Sequence, residues 1–133
     1  MTATKNVKTM SSKILVIDDE ALVRSMMCDG LAAAGYAVSA ASSGEEALQV
    51  VQADHPACIL LDIMMPDLDG YDTCAALKAD PHTASIPVLL VSATTDARVM
   101  EQAKRVGAAT VLRKPVRMDE LQRVISHALH PSA

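Results

Sequence analysis

Aromatic side chains are almost absent from this chain of 133 residues, which has no Phe, no Trp and two Tyr. Half of its residues are hydrophobic, so the core must be built from aliphatic side chains and from the eight Met. A site that holds a flavin ring between aromatic side chains is therefore not expected. A chain of this length is typical of one domain and can bury roughly two thirds of its unfolded surface.

Cysteine, net positive charge and long apolar runs are also missing or scarce. The three Cys, at positions 28, 58 and 74, are far apart, which argues against a disulfide framework or a zinc site. The net charge of −4 argues against a surface devoted to nucleic acid. No apolar run reaches the length of a membrane span, and residues 1–12 lack the apolar segment of a secretory signal. We therefore expect a soluble, cytoplasmic protein with no direct nucleic-acid partner and no membrane partner.

Short apolar runs alternate with segments in which apolar residues recur at helical spacing. The predicted strands are 13–17, 36–41, 57–62, 86–91 and 110–113, and a helix follows each of them. This alternation, with short connections, predicts an α/β fold in which right-handed crossovers build a parallel sheet covered by helices on both faces. We expect one domain over residues 13–130, a flexible N-terminal arm over residues 1–12 and no second domain.

Local signals mark the ends of several helices. Gly35 is a candidate for the residue that ends the first helix. Ser43 and Glu46 have the spacing of a capping box at the start of the second helix. The fourth helix, near residues 96–106, is polar and weakly amphipathic, so we expect it to be the least firmly held.

Polar residues suited to chemistry fall where the predicted strands end. Asp18 and Asp19 follow the first strand, Asp62 ends the third, Ser92 follows the fourth and Lys114 follows the fifth. The carboxyl ends of parallel strands meet at one edge of a sheet, where α/β proteins bind ligands, so we expect these side chains to converge. Clustered carboxylates repel one another unless a cation lies among them or a proton is shared. Oxygen ligands without His or thiolate suit Mg²⁺ or Mn²⁺.

A metal, a hydroxyl and an ammonium group around one carboxylate are suited to phosphoryl transfer, which depends on positioning and on neutralising the phosphoryl oxygens. We predict that Asp62 is the nucleophile and becomes an acyl phosphate. The metal, Ser92 and Lys114 would each hold a phosphoryl oxygen.

Five short segments carry a resemblance to a known family. They are Asp18-Asp19-Glu20, Asp62-x-x-Met65-Pro66-x-x-Asp69-Gly70, Ser92-Ala93, Gly107-Ala108 and Lys114-Pro115. Each is a weak signal alone, but together and in this order, from Lys13 to Leu129, they resemble the receiver domain of two-component response regulators. The resemblance implies a flavodoxin-like, doubly wound (βα)5 fold whose five parallel strands have the order 2-1-3-4-5.

The resemblance also implies roles for individual residues. Asp62 would be the phosphoacceptor, and Asp19, Asp62 and the backbone carbonyl of Met64 would ligate Mg²⁺. Asp18 would hold a metal-bound water. Ser92 would bind the phosphoryl oxygen, and Lys114 would pair with the phosphate.

Further expectations from the resemblance concern conformation and partners. The Lys114-Pro115 peptide bond would be cis. The phosphodonor would be a sensor histidine kinase or a histidine phosphotransfer protein. A surface formed by the fourth helix, the fifth strand and the last helix would signal to a downstream protein target, and a dimer could form on phosphorylation. The chain would be no enzyme beyond its own phosphorylation and slow self-dephosphorylation.

Some residues depart from the family pattern. Val111 stands where the fifth strand usually carries an aromatic switch residue, and Val116 replaces a frequent Phe. Met64 and Thr94 flank the path of the hydrolytic water in related domains. Because neither side chain is an acid or an amide that orients water well, we expect slow self-dephosphorylation.

Other functions remain as alternatives. A metal-dependent phosphohydrolase would need a second acid near the nucleophile, which Asp62-Ile63-Met64 lacks. A flavodoxin-like cofactor binder would need aromatic residues and a hydroxyl-rich phosphate loop. A docking module that does not depend on phosphorylation is disfavoured by the complete set of Asp62, Ser92 and Lys114, although Val111 leaves it open.

Structural roles are expected for the remaining conspicuous residues. We interpret Asp67 and Asp69 as turn and N-cap residues, and Glu20 as a helix-start charge. A group of Met is expected to fill the core and loops. These are Met26, Met27, Met64 and Met65. All four His are expected at the surface.

Overall fold

The computed structural model describes residues 12–66 and 68–130, which form five β-strands and five α-helices in alternation. The strands are β1 (Lys13–Ile17), β2 (Ala37–Ala41), β3 (Cys58–Asp62), β4 (Val88–Ser92) and β5 (Thr110–Arg113). The helices are α1 (Ala21–Ala33), α2 (Gly44–Asp54), α3 (Gly70–Ala79), α4 (Ala97–Arg105) and α5 (Met118–Leu129). The predicted N-terminal arm, apart from residue 12, and Asp67 lie outside the described residues. None of the described helices could cross a bilayer.

The sheet is parallel throughout and has the strand order β2-β1-β3-β4-β5. The α/β prediction and the strand order implied by the resemblance are both confirmed. In the register of the central pair, Ile17 at the end of β1 lies opposite Leu61 of β3. Asp18 and Asp62, which follow these two residues, are therefore brought to the same edge of the sheet.

The core consists of two aliphatic layers, one on each face of the sheet. Side chains alternate between the faces along a strand, so a strand buried on both sides is apolar throughout. All five residues of β3 and all five of β4 are buried. One layer includes Leu15, Ile17, Ile59, Leu61 and Leu90, and the other includes Ile14, Val16, Leu60, Leu89 and Val91. Both Tyr pack against these layers from partly buried positions, so the core is aliphatic as predicted.

The predicted caps are found with one variation. Gly35 has a φ of +102°, the left-handed conformation that favours glycine after a helix. The Ser43 hydroxyl accepts a hydrogen bond from the Glu46 backbone N–H at 3.1 Å. The Glu46 carboxylate accepts from the backbone N–H of Ser42 rather than from that of Ser43, so the capping box is displaced by one residue on one side.

Three strands start later than predicted: β2 and β3 by one residue, and β4 by two. β4 begins at Val88 instead of Ile86, because Pro87 has no N–H to donate to the sheet. Ser92, predicted to follow β4, is its last residue. In α4 only Ala103 is buried. α1 likewise has one buried residue, so burial does not single out α4, and its being the least firmly held helix stays a prediction.

Candidate functional site

Three carboxylates meet at the ends of β1 and β3. Asp18, Asp19 and Asp62 each offer an oxygen, and these oxygens lie within 4.8 Å of one another. Asp18 and Asp62 are buried, with 5% and 3% of their surface exposed, whereas Asp19 is exposed. A cluster that is closed on the protein side and open at Asp19 can admit a small ion from solvent.

Lys114 reaches this cluster from β5, although β4 separates β5 from β3 in the sheet. Its Nζ lies 3.1 Å from Asp62 Oδ2. The Lys114 backbone N–H donates to the Ser92 carbonyl at 2.8 Å, which fixes the start of the β5–α5 loop against the end of β4. The peptide bond between Lys114 and Pro115 is cis, as the resemblance implied.

Ser92 is buried at the end of β4, one residue beyond Val91, which is the register partner of Asp62. Its hydroxyl oxygen accepts a hydrogen bond from the Thr94 backbone N–H at 3.3 Å. Because this bond uses a lone pair, the hydroxyl proton stays available for donation to an oxygen held near Asp62.

The charges at the site shift two pKa values. Burial raises the pKa of Asp62, and the nearby Asp18 charge raises it further, which together outweigh the lowering by Lys114. Burial alone would lower the pKa of Lys114, but the hydrogen bond and charge of Asp62, with Asp18 and Glu20, raise it overall. The single ammonium therefore leaves the Asp62 carboxylate short of positive charge, which a bound cation would supply.

The loop after β3 is folded tightly back on the site. The Met64 N–H donates to Asp62 Oδ1 at 3.3 Å, and the Gly70 N–H donates to the Ile63 carbonyl at 2.9 Å. A Cβ at Gly70 would lie 2.5 Å from the Asp62 carbonyl oxygen and 2.6 Å from Ile63 Cα. Only glycine fits this approach, so Gly70 sets how closely α3 packs behind the predicted nucleophile.

Asp69 is the N-cap of α3, as predicted: its carboxylate accepts from the Asp72 N–H at 2.9 Å. Glu20 occupies the N-cap position of α1 but makes no side-chain capping bond within the described residues. His55, His82, His127 and His130 are all exposed, as expected.

The expectation for the Met group is wrong for two of its four members. Met65 is buried and Met27 half-buried, but Met64 and Met26 expose 73% and 64% of their surface. Met64 lies in the loop after β3, at the rim of the carboxylate cluster, where helical or strand periodicity cannot predict whether a side chain is buried. In α1 the inward stripe is narrow, because Leu31 is its one buried residue.

A cavity of about 390 Å³ adjoins the carboxylates. Asp62 and Lys114 line its polar end, and Val23, Met27 and Val116 line part of its apolar wall. Val116 stands where the family pattern often has Phe.

One residue at the site was missed from the sequence. Arg24, at the end of the first turn of α1, donates from Nη1 to the Asp18 backbone carbonyl at 2.7 Å. Its position four residues after Glu20 places it one turn beyond the acidic loop, but this spacing alone also fits an ordinary surface ion pair.

A family model described as the response regulator receiver domain matches residues 14–126. The chain belongs to this family. Membership in this family implies phosphorylation-based two-component signalling.

Similar proteins agree with this assignment. The receiver domain is 38% identical over 117 residues to the probable transcriptional regulator ycf27 of Porphyridium aerugineum, covering 88% of this chain and 48% of that protein. It is 44% identical over 108 residues to the response regulator PleD of Caulobacter vibrioides, covering 80% of this chain and 24% of that protein. The chain therefore spans half or less of the length of these relatives.

Solved structures give the same fold. The chemotaxis protein CheY4 of Vibrio cholerae superposes with a TM-score of 0.86 at 29% identity, covering 90% of this chain and 99% of that one. A putative response regulator from Chloroflexus aurantiacus superposes with a TM-score of 0.85 at 33% identity, covering 90% and 98%.

Proposed function

We propose that this receiver domain accepts a phosphoryl group on Asp62 from the phosphohistidine of a sensor histidine kinase or a histidine phosphotransfer protein. The observation that carries the proposal is the placement of Lys114 Nζ 3.1 Å from Asp62 Oδ2. In addition, one carboxylate oxygen from each of Asp18, Asp19 and Asp62 lies within 4.8 Å of the other two. These groups come from three separate parts of the chain: the β1–α1 loop, the end of β3 and the β5–α5 loop. Together they surround one buried carboxylate with the charges that a phosphoryl group requires.

The acidic cluster fits a divalent cation. Its donors are three hard carboxylate oxygens, and Lys114 places one positive charge beside Asp62. Asp19, Asp62 and the Met64 backbone carbonyl would bind Mg²⁺ or Mn²⁺, and Asp18 would hold one of its waters. When bound, the ion would neutralise the oxygens of the transferring group.

In the transfer step a carboxylate oxygen of Asp62 attacks phosphorus as the bond to the histidine nitrogen breaks. The electrons of that bond leave with the imidazole, and an acyl phosphate forms on Asp62. Lys114 is already within ion-pair distance of Asp62 Oδ2, so its ammonium can pair with a new phosphoryl oxygen there. Ser92 would donate its free hydroxyl proton to another oxygen.

The signal would leave through the surface formed by α4, β5 and α5. Ser92 and Lys114 are linked by a backbone hydrogen bond, so movement of Ser92 toward the phosphoryl group would pull on the end of β5. Val111 of β5 is half-buried against the core layer that includes α4. A downstream protein target, or a second copy of the chain after phosphorylation, would bind to this surface.

Self-dephosphorylation would be slow. Met64, which is 73% exposed at the rim of the site, offers a thioether, and Thr94 offers a hydroxyl on an exposed residue. Neither side chain can hold an attacking water as an acid or amide does.

Incubation with Mg²⁺ and a small phosphodonor such as acetyl phosphate tests the proposal by intact mass. We expect a gain of one phosphoryl group that depends on Mg²⁺ and disappears in Asp62→Asn. Asp96→Asn, at an exposed N-cap, is the matched control and should be phosphorylated as the wild type is. Absence of the mass gain in the wild type would instead favour a docking module that does not depend on phosphorylation, the alternative that Val111 leaves open.

A further inference from the structure

We propose that Arg24 is a positioning residue for the metal-binding loop: by holding the Asp18 carbonyl, it sets the direction of the Asp19 carboxylate. The inference rests on the proposed function, because it assigns Arg24 a part in building the cation site. It starts from the 2.7 Å hydrogen bond between Arg24 Nη1 and the Asp18 backbone oxygen.

The loop that needs positioning is short and lacks the usual cap. Three residues, Asp18 to Glu20, join β1 to α1, and the first two carry carboxylates of the cluster. At the N-cap position, Glu20 makes no capping bond from its side chain within the described residues. The side chain that stabilises this helix start is instead Asp18, whose Oδ1 accepts from the Glu20 N–H at 2.9 Å.

Arg24 completes the anchoring of the Asp18 main chain. The Asp18 N–H donates to the Ala41 carbonyl at the end of β2, which fixes one side of the residue. The Arg24 guanidinium holds the carbonyl on the other side, and the Arg24 N–H donates to the Glu20 carbonyl. These bonds close a ring between β1 and the first turn of α1.

The carbonyl matters because it belongs to the peptide unit that joins Asp18 to Asp19. Rotation of that peptide plane changes ψ of Asp18 and φ of Asp19 together, and so turns the Asp19 side chain. Asp19 is exposed, so packing does not hold its carboxylate in the cluster. The bond from Arg24 therefore restrains this orientation, together with the bond from the Glu20 N–H to Asp18 Oδ1.

A positioning role and a simple charge effect predict opposite changes in metal affinity. If Arg24 acted only as a positive charge near three carboxylates, its removal would strengthen Mg²⁺ binding. If it positions the loop, its removal weakens Mg²⁺ binding, by roughly tenfold as for other groups that orient metal ligands. Arg24→Met is suitable for the comparison because Met is as good a helix former as Arg.

The experiment measures the Mg²⁺ dissociation constant by calorimetry for the full chain and its variants, with no phosphodonor present. We expect Arg24→Met to weaken binding roughly tenfold, and Arg24→Lys, which keeps a charged N–H donor group, to restore most of the affinity. Arg98→Met, at an exposed position in α4, should leave binding unchanged. Unchanged or stronger binding in Arg24→Met, or equal losses in the Met and Lys variants, would overturn the inference.

Two further measurements separate local positioning of the loop from a loss of global stability. In metal-free protein, amide hydrogen exchange at Glu20 should be faster in Arg24→Met than in the wild type, while the free energy of unfolding in urea stays similar. A loss of metal affinity that merely follows a loss of global stability counts against positioning. If the wild type binds no Mg²⁺, the proposed metal site fails, and exchange at Glu20 alone decides whether Arg24 holds the loop.

Discussion

Lys114 and Asp62 form an ion pair of 3.1 Å from the ends of β5 and β3, two strands that do not touch in the sheet. The Lys114 side chain crosses the end of β4 to reach Asp62. The hydrogen bond from the Lys114 backbone N–H to the Ser92 carbonyl fixes the position of the Lys114 backbone at that end. The Lys114 ammonium lowers the pKa of Asp62, but burial and the neighbouring Asp18 charge raise it by more, so the pKa is raised overall.

Replacing Lys114 by Met should slow phosphorylation from acetyl phosphate by roughly 100-fold, since it removes a preorganised charge from the transferring oxygens. It should also raise the pKa of Asp62 further, so the pH at which the rate reaches its plateau should increase. Intact mass against time, repeated over a pH series, measures both changes. Lys104→Met, in the last turn of α4, is the control, and a rate in Lys114→Met equal to the wild type would contradict the role of the pair.

Stability should depend on pH through Asp62. A carboxyl group whose pKa is raised by folding favours the folded state below its ordinary pKa of about 4, and this contribution is lost as the pH rises through the raised value. Near neutral pH, Asp62→Asn should therefore be more stable than the wild type, on the order of 1 kcal/mol, with the difference closing in acid. Urea unfolding followed by circular dichroism measures this without Trp.

Two controls accompany that measurement. Asp29→Asn, at an exposed position in α1, should show no such gain. Mg²⁺ should stabilise the wild type more than Asp62→Asn, because a ligand stabilises the state that binds it. Equal stability of wild type and Asp62→Asn at neutral pH would show that the buried carboxylate is already fully compensated.

Gly70 should not tolerate a side chain. The added Cβ of Gly70→Ala would press on the Asp62 carbonyl oxygen and on Ile63 Cα, which are backbone atoms that cannot move aside. We expect a loss of about 3 kcal/mol in the free energy of unfolding. Gly30→Ala is the matched variant: there the Cβ would meet the flexible end of the Met118 side chain, and alanine favours the helix by up to ~1 kcal/mol. Similar losses in both variants would refute the explanation.

Met64 should limit hydrolysis of the acyl phosphate. We expect the phosphorylated wild type to persist well beyond seconds after removal of the phosphodonor, and Met64→Gln to shorten that lifetime roughly tenfold, because an amide can orient the attacking water. Decay of the phosphorylated mass gives the lifetime. Met26→Gln, also exposed near the site, is the control. A wild-type lifetime of only seconds would disprove the prediction.

Local patterns in the sequence predicted most of the elements correctly. β1 and β5 have the predicted bounds, because short apolar runs between turn residues leave little choice of register. The Ser43 and Asp69 caps were also predictable, since each depends on atoms within three residues along the chain. The strand order came from the resemblance, not from periodicity.

The sequence by itself determined which residues stand at the strand ends, and therefore that Asp18, Asp19, Asp62, Ser92 and Lys114 share one edge of a parallel sheet. Tertiary structure alone decided the contacts that connect distant parts of the chain. Lys114 meets Asp62 across β4, Gly70 touches the backbone of Asp62, and Arg24 turns back to Asp18 instead of toward solvent. Periodicity specifies the face on which a side chain lies, but the depth and direction of that side chain depend on how crossovers pack against the sheet.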